Sequence, residues 1–243
     1  MGVRTYEKWD AVDRPQYLSG ILAAADLARD SGIDSIYVVE FGVARGNGLL
    51  EMQRYAQMVE KETGVRIRVV GFDRSTGLPP TKGDYRDHPD EWIEGDFPMN
   101  EEWLRARLLP GTELVLGDVR QTVPEFMERQ SCPLGFLALD LDLYTSTMQA
   151  LEILRLPNSQ DHLRMLRRVF LYFDDILSTV NHRFAGERLA IEDFNRENQW
   201  VKIDHWYAIS SRIVRDYAWV QKMYVAHDIA NINSYQPERA TRE

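Results

Sequence analysis

The stretch VVEFGVARGNGLL, residues 38–50, decides how the fold is interpreted. It begins as an apolar, strand-like run that ends near Glu40 and then enters a turn containing Gly42, Gly46 and Gly48. A strand, a glycine-rich turn and a helix in succession indicate the ligand-binding unit of an α/β sheet. The spacing differs from the dinucleotide fingerprint G-x-G-x-x-G, and a carboxylate precedes the first glycine, where a diphosphate is disfavoured.

Outward from this stretch, short apolar runs alternate with longer amphipathic ones. We predict strands at 35–41, 66–73, 113–118, 134–142 and 168–175, helices at 18–32, 49–64, 121–130, 145–155 and 186–198, and two late strands at 200–209 and 219–227. This alternation predicts βαβ units, with a parallel sheet and helices on both faces. The two late strands have no good helix between them, which predicts a hairpin with one strand antiparallel to the rest.

The composition indicates one globular domain. The 243 residues are 44% hydrophobic and 28% charged, as in an ordinary protein with a full core. No repeat or convincing linker divides the chain, so we predict a single domain over residues 1–243. It would carry an N-terminal extension at 1–17, a long polar loop at 75–101 that we interpret as a lid, and a polar tail at 234–243.

Charge and cysteine content exclude several classes of function. The formal net charge of −9 argues against nucleic-acid binding, which needs clustered Lys and Arg. The single cysteine, Cys132, cannot form an internal disulfide, which suits a reducing cytoplasm. No apolar run is long enough to cross a membrane, and the N-terminus lacks a secretory signal. We therefore expect a cytoplasmic protein without a membrane or nucleic-acid partner.

Acidic residues stand at nearly every predicted strand end. Ligands of open α/β sheets bind beyond the carboxyl ends of the strands, so these acids would surround a ligand. An aspartate there can instead cap the following helix, and this alternative stays open for any one position. The acids are Glu40, Asp73, Asp118, Asp140 with Asp142, and Asp174 with Asp175.

The acids of the first three strands fit a sulfonium-bearing nucleoside with an amino-acid tail. Glu40, beside Gly42 and Gly46, would accept hydrogen bonds from an ammonium group. Asp73 is placed to accept two ribose hydroxyls, as acids after the second strand do in nucleoside-binding α/β folds. Asp118, with Val119 beside it, would contact the adenine.

These residues resemble a class I S-adenosylmethionine-dependent methyltransferase, and more narrowly the macrocin O-methyltransferase-like group of metal-dependent sugar O-methyltransferases. The resemblance covers roughly residues 35–227. Its most specific part is the D-x-D-L-Y-x-S/P-T segment together with a later pair of aspartates. The segments that carry it are FGVARGNG (41–48), GFD (71–73), LGDVRQTVPEF (116–126), LDLDLYTSTMQALEIL (139–154), FDDI (173–176) and GERLAIEDF (186–194).

The resemblance implies a Rossmann-like sheet of seven strands, mostly parallel with the last strand antiparallel. It also implies a divalent ion, usually Mg²⁺, held by Asp140, Asp174 and Asp175. Mg²⁺ prefers carboxylate oxygens and leaves coordination sites for water and substrate. Asp142 is the alternative to Asp140, because residues two apart in an extended strand face the same side. The chain departs from the group at 155–169, where the usual Pro-Gly-Gly turn is absent.

The chemistry we expect is magnesium-assisted methyl transfer from S-adenosylmethionine to a hydroxyl oxygen. The acceptor would be a small molecule with adjacent hydroxyls, such as a sugar-containing or catechol-like natural product. Asp140 would take part through the metal, and His182, just beyond the aspartate pair, is the candidate base; His88 is the alternative. Aromatic residues that would line the acceptor slot, or pack in the core, are Trp92, Trp103, Trp206, Tyr144 and Tyr207.

Two other functions remain open at this point. The first is a non-catalytic or accessory subunit that binds S-adenosylmethionine, against which the gathered carboxylates argue. The second is an NAD-dependent oxidoreductase, which fits the sheet and Asp73 but is disfavoured by the glycine spacing. Assembly into a homo-oligomer is also left open.

Overall fold

The computed structural model describes residues 2–155, 163–215 and 217–234. His162 and all but the first residue of the predicted tail at 234–243 lie outside the described residues. The strands are β1 (Ser35–Phe41), β2 (Arg66–Asp73), β3 (Thr112–Leu116), β4 (Leu134–Leu139), β5 (Met165–Phe173), β6 (Val201–His205) and β7 (Met223–Asp228). They form one seven-stranded sheet in the order β3-β2-β1-β4-β5-β7-β6.

The pairing of the strands confirms the predicted topology. Strands β1 to β5 pair in parallel, whereas β7 lies antiparallel between β5 and β6. The strand order reverses between β1 and β4, which places the topological switch point there. The fold class expected from the sequence is therefore confirmed.

Helices cover both faces of this sheet. They are α1 (Val3–Trp9), α2 (Pro15–Asp30), α3 (Asn47–Thr63), α4 (Glu101–Arg105), α5 (Val119–Arg129), α6 (Tyr144–Leu151), α7 (Gly186–Glu197) and α8 (Ile229–Ser234). Alternate residues of β1 enter different cores, because successive side chains of a strand point to opposite faces. Ile36 and Val38 pack with α2 and α3, whereas Tyr37 and Val39 pack with α5, α6 and α7.

Several boundaries differ from the predicted ones, and the differences have local causes. Strand β3 ends at Leu116 rather than at 118, because Gly117 has φ +142° and Asp118 caps helix α5. Strand β4 ends at Leu139 rather than at 142. Helix α2 begins at Pro15 rather than at 18, since proline is favoured in the first turn of a helix.

No helix in the described part of the chain is both long and apolar enough to span a bilayer.

Candidate active site

One large cavity opens at the carboxyl ends of the parallel strands. Its volume is about 980 Å³, and it lies beside the switch point between β1 and β4, where ligands bind in open α/β sheets. The acids at the ends of five strands share this cavity even though they are far apart in sequence. Its lining includes Glu40, Asp73, Asp118, Asp140, Asp142, Asp174 and Asp175.

The glycines of the opening stretch bring protein groups close together around this cavity. Gly42 has φ +83°, and a Cβ there would overlap the backbone carbonyl oxygen of Asp140, just after the neighbouring strand β4. Gly46 has φ +86°, and a Cβ there would overlap the side chain of Leu104. Both positions therefore need glycine for close packing and for a left-handed backbone. Gly42 lines the cavity, whereas Gly46 packs against Leu104 outside its lining.

Glu40 is a buried carboxylate at the wall of the cavity. The hydroxyl of Tyr17 donates to its Oε1 at 2.6 Å, whereas Oε2 is buried without a hydrogen-bond partner among the described residues. Burial raises the pKa of Glu40 to about 7. Gly48 leaves room for this carboxylate, because a Cβ there would overlap Oε1.

Asp73 organises the loops that follow β1 and β2. Its two carboxylate oxygens accept hydrogen bonds from the backbone N–H groups of Ala44 at 2.8 Å and Ser75 at 2.5 Å. A carboxylate has about four acceptor positions, so two are left for a ligand. This arrangement is compatible with the predicted contact to ribose hydroxyls.

Asp118 caps helix α5, which is the alternative that the sequence left open. Its carboxylate accepts from the backbone N–H of Arg120 at 2.9 Å and pairs with the guanidinium of the same residue. That pairing lowers the pKa of Asp118. Asp118 and Val119 both line the cavity, so the predicted adenine contact remains a prediction.

Four aspartates meet at the ends of β4 and β5. Burial, followed by the negative charges of Asp174 and Asp175, raises the pKa of Asp140 well above its ordinary value. Burial and Asp175 likewise raise the pKa of Asp142 to about 8. Burial and Asp174 raise the pKa of Asp175 to about 6. The end of the cavity at β4 and β5 therefore destabilises negative charge.

The backbone conformation that places Asp142 in this cluster differs from the one expected. We expected an extended strand in which Asp140 and Asp142 face the same side, but β4 has already ended and Asp142 has φ +61°. Aspartate is one of the few residues with a side chain that tolerates this left-handed conformation. Both carboxylates line the cavity, so the turn, and not strand alternation, brings them together.

Asp174 differs from its neighbours because it has cationic and hydroxyl partners. Lys222 lies 3.1 Å from its Oδ1 as an ion pair, and the hydroxyl of Tyr172 donates to the same oxygen. The described residues contain no group of three or more His, Cys, Asp or Glu side chains arranged to hold a metal ion. The predicted ligands Asp140, Asp174 and Asp175 thus share one end of the cavity without forming a ready-made metal site.

Glu187 supports this cluster from helix α7 and was not singled out from the sequence. It is fully buried, and its Oε2 accepts from the backbone N–H of Asp175 at 2.9 Å. Its Oε1 has no partner among the described residues. The pKa of Glu187 is raised well above its ordinary value by burial and by the charge of Asp175.

The structure does not bring the predicted base to the cavity. His182 is exposed and is absent from the cavity lining. Its ring contacts that of His88, with centroids 5.6 Å apart, and His88 is buried but also outside the lining. Neither imidazole therefore lines the cavity with the gathered carboxylates.

The predicted lid forms one wall of the cavity. Trp92 and Phe97 line it and contact each other with ring centroids 6.3 Å apart. Asp87 ties the segment down, because its carboxylate accepts from the backbone N–H and the hydroxyl of Thr145, both at 2.7 Å. Of the aromatic candidates for the acceptor slot, Trp92 alone lines the cavity; Trp103, Trp206, Tyr144 and Tyr207 do not.

Comparison with solved structures defines the fold more narrowly. CalS11, a calicheamicin methyltransferase, superimposes with a TM-score of 0.57 at 22% identity, covering 85% of this chain and 77% of CalS11. The O-methyltransferase NovP gives a TM-score of 0.52 at 17% identity, covering 86% of this chain and 78% of NovP. The chain has the class I methyltransferase fold. At these identities the likeness concerns the fold alone.

The sequence comparisons add no further relative. No protein-family model matches the chain, and no curated protein matches it significantly. The methyltransferase fold expected from the resemblance is nonetheless confirmed.

Proposed function

We propose that this protein is an S-adenosylmethionine-dependent O-methyltransferase that acts on a hydroxyl of a small natural product. The observation that carries the proposal is the gathering of acids from five strand ends around one cavity of a methyltransferase fold. Glu40, Asp73 and Asp118 with Val119 would hold the cofactor, from its amino-acid end to its adenine. The acceptor would occupy the space between the aspartates of β4 and β5 and the lid.

We also propose that the reaction is assisted by Mg²⁺ or another hard divalent cation. The donor set fits such an ion, because Asp175 has a buried carboxylate oxygen without a partner among the described residues, and the pKa values of Asp140 and Asp142 are raised. Asp140, Asp174 and Asp175 would hold the ion. When bound, it would neutralise these carboxylates and lower the pKa of the acceptor hydroxyl.

Asp142 is the group of this chain best placed to take the proton. It lines the cavity beside the proposed ligands, and burial and the charge of Asp175 raise its pKa, which makes its carboxylate a stronger base than that of an ordinary aspartate. His182 was the predicted base, and it is exposed and lies outside the cavity lining. A role for His182 would require movement of the segment that follows β5.

Calorimetric titration and a turnover assay test the proposal. S-adenosylmethionine should bind with one-to-one stoichiometry, whereas NAD should produce no binding heat. Methylation of a panel of catechols and sugar-containing natural products should then consume the cofactor and stop when the divalent ion is chelated. Binding of NAD in place of S-adenosylmethionine would favour an oxidoreductase. Cofactor binding without turnover on any acceptor would favour the accessory subunit.

A further inference from the structure

An arginine, Arg14, lies at the edge of the proposed cofactor site, although no sequence pattern indicated one there. Arg14 immediately precedes helix α2 and has a left-handed backbone with φ 50°. Pro15 occupies the first helical position and fixes the start of the helix at this point. The side chain of Arg14 is partly buried and lines the cavity. The helix start therefore directs a cation toward the end of β1.

The guanidinium of Arg14 has no direct hydrogen-bond or ion-pair partner in the part of the chain that the structure describes. It lies over the ring of Tyr17, with its central carbon 5.4 Å from the ring centroid. Burial alone would lower the pKa of Arg14, but the acidic groups of Tyr17, Glu40, Asp140 and Asp174 raise it overall. Arg14 is therefore a charged group whose N–H donors remain available to a ligand in the cavity.

Glu40 complements Arg14 on the same wall. Its Oε1 is used by Tyr17, but its Oε2 is buried without a partner among the described residues. Buried polar atoms are normally satisfied, so an unpaired carboxylate oxygen at a cavity wall indicates a donor that arrives with the ligand. Tyr17 contacts both residues and holds them near each other. One wall thus offers an unused acceptor and unused donors side by side.

A free α-amino acid group carries the matching pair of charges. Its ammonium group needs acceptors, and its carboxylate is bound best by the planar, bidentate guanidinium of arginine. We propose that Arg14 and Glu40 form a zwitterion clamp, in which Arg14 binds the α-carboxylate and Glu40 the α-ammonium group of the cofactor's amino-acid end. This inference rests on the proposed function and adds Arg14 to the cofactor-binding residues.

The clamp makes a prediction about ligands that lack one charge. In the unaltered protein, S-adenosylhomocysteine should bind at least about tenfold more tightly than its decarboxylated analogue, because charge-assisted hydrogen bonds to the carboxylate are lost in the analogue. The substitution Arg14→Gln should weaken binding of S-adenosylhomocysteine roughly 10- to 100-fold. It should change binding of the decarboxylated analogue by less than about threefold, since that ligand has no carboxylate for Arg14 to bind.

Calorimetric titration of both ligands into both proteins tests this difference. Arg120→Gln is the matched control, because Arg120 lines the same cavity beside Asp118 and should affect both ligands by the same factor. Equal losses for the two ligands in Arg14→Gln, or no loss for either, would overturn the clamp while leaving the proposed function intact. Failure of the unaltered protein to bind any of these adenosine ligands would overturn both.

If Arg14→Gln does not fold, the affinities of the unaltered protein for the two ligands still test the clamp. Equal affinity for S-adenosylhomocysteine and its decarboxylated analogue would then exclude a carboxylate contact of any strength. A preference of about tenfold or more that is lost in a folded Arg14→Lys variant would support the clamp, because lysine keeps the charge but not the bidentate geometry.

Discussion

The two ends of the cavity hold their carboxylates in different ways. At the β2 and β3 end, Asp73 accepts two backbone N–H groups and Asp118 pairs with Arg120. At the β4 and β5 end, Asp140 and Asp142 lie near each other and near Asp175, and their pKa values are raised. Hydrogen bonds and an ion pair within the protein stabilise the carboxylates of Asp73 and Asp118. Burial and neighbouring negative charges destabilise the carboxylates of Asp140 and Asp142.

This difference shows that acids at strand ends serve separate purposes. Asp73 and Asp118 build loops and helix starts, and present their remaining acceptor positions to a nucleoside. Asp140, Asp142 and Asp175 cost stability at neutral pH, because a carboxyl group whose pKa is raised by folding must either take up a proton or stay in its disfavoured charged form. Groups that cost stability in this way often mark functional sites, and a cation is the ligand that would relieve the repulsion.

The largest effect is expected for turnover when the metal-binding end is altered. Asp140→Asn should reduce turnover by roughly 100-fold or more, because it removes a charged ligand of the proposed ion. Binding of S-adenosylhomocysteine should change little. An assay of turnover with and without a chelator, beside calorimetry of the cofactor product, checks both parts. Full activity in Asp140→Asn, unaffected by the chelator, would show that the reaction does not need the proposed metal ion.

The next effect concerns the junction between the two ends. Gly42→Ala places a Cβ against the carbonyl oxygen of Asp140 in a left-handed backbone. Gly64→Ala is the matched control, because Gly64 has φ +76° with open space around it and should cost only about 1–2 kcal/mol for the backbone conformation. Gly42→Ala should cost about 1–3 kcal/mol more, as overpacking does. Equal free energies of unfolding in urea would contradict the close approach.

At the nucleoside end we expect a smaller effect, on affinity alone. Asp73→Asn should weaken binding of S-adenosylhomocysteine by about tenfold, since one carboxylate acceptor becomes a donor opposite the ribose or the backbone N–H groups. The apparent affinity for Mg²⁺, measured by its effect on turnover at saturating cofactor, should stay the same. A shift in the metal requirement of Asp73→Asn would mean that the two ends are not separate.

The smallest effect concerns the free energy of unfolding, which substitutions at the two ends of the cavity should change in opposite directions. Asp142→Asn should raise the free energy of unfolding of the metal-free protein at pH 8 by on the order of 1 kcal/mol, since it removes an unfavourable buried charge and asparagine tolerates the positive φ of that position. Asp118→Ala should lower it by about 1 kcal/mol, because it removes the cap of α5. A change in the free energy of unfolding in the same direction for both variants would contradict this difference between the two ends.

The pH dependence of stability follows from the same pKa values. The pKa values of Asp175, Glu40 and Asp142 are raised to about 6, 7 and 8, whereas in the unfolded chain these acids titrate near 4. Between those limits the folded protein holds more protons, so the free energy of unfolding should fall as the pH rises from about 4 to about 8. Denaturation in urea across this range, in the presence of a chelator, should show a shallower fall in Asp142→Asn. A rise in stability over the same range would contradict the raised pKa values.

Much of the fold could be predicted because the periodicity of each segment is local. The bounds of β1 and β2 agree with the sequence patterns, and the gathering of strand-end acids follows from parallel strands that end at one edge of the sheet. The ends of β3 and β4 could not be predicted as well, since they depend on Gly117 and on the turn at Asp142. Apolar runs give no information on where a turn begins.

The parts of the site that the sequence did not reveal depend on contacts between distant segments. Asp87 binds the first turn of α6 from 58 residues away, and Glu187 binds the backbone of Asp175 from the next helix. Arg14 lines the cavity from a left-handed position just before Pro15. His182 was proposed for its nearness in sequence to the aspartate pair, and nearness in sequence did not place it at the cavity.

The central claim is that this cavity binds S-adenosylmethionine and a divalent cation at opposite ends. Calorimetric titration of S-adenosylhomocysteine into the unaltered protein, in Mg²⁺ and again in a chelator, tests it most directly. We expect one-to-one binding under both conditions in the unaltered protein, and loss of affinity in Asp73→Asn but not in Asp140→Asn. Absence of binding, or equal losses in the two variants, would contradict it.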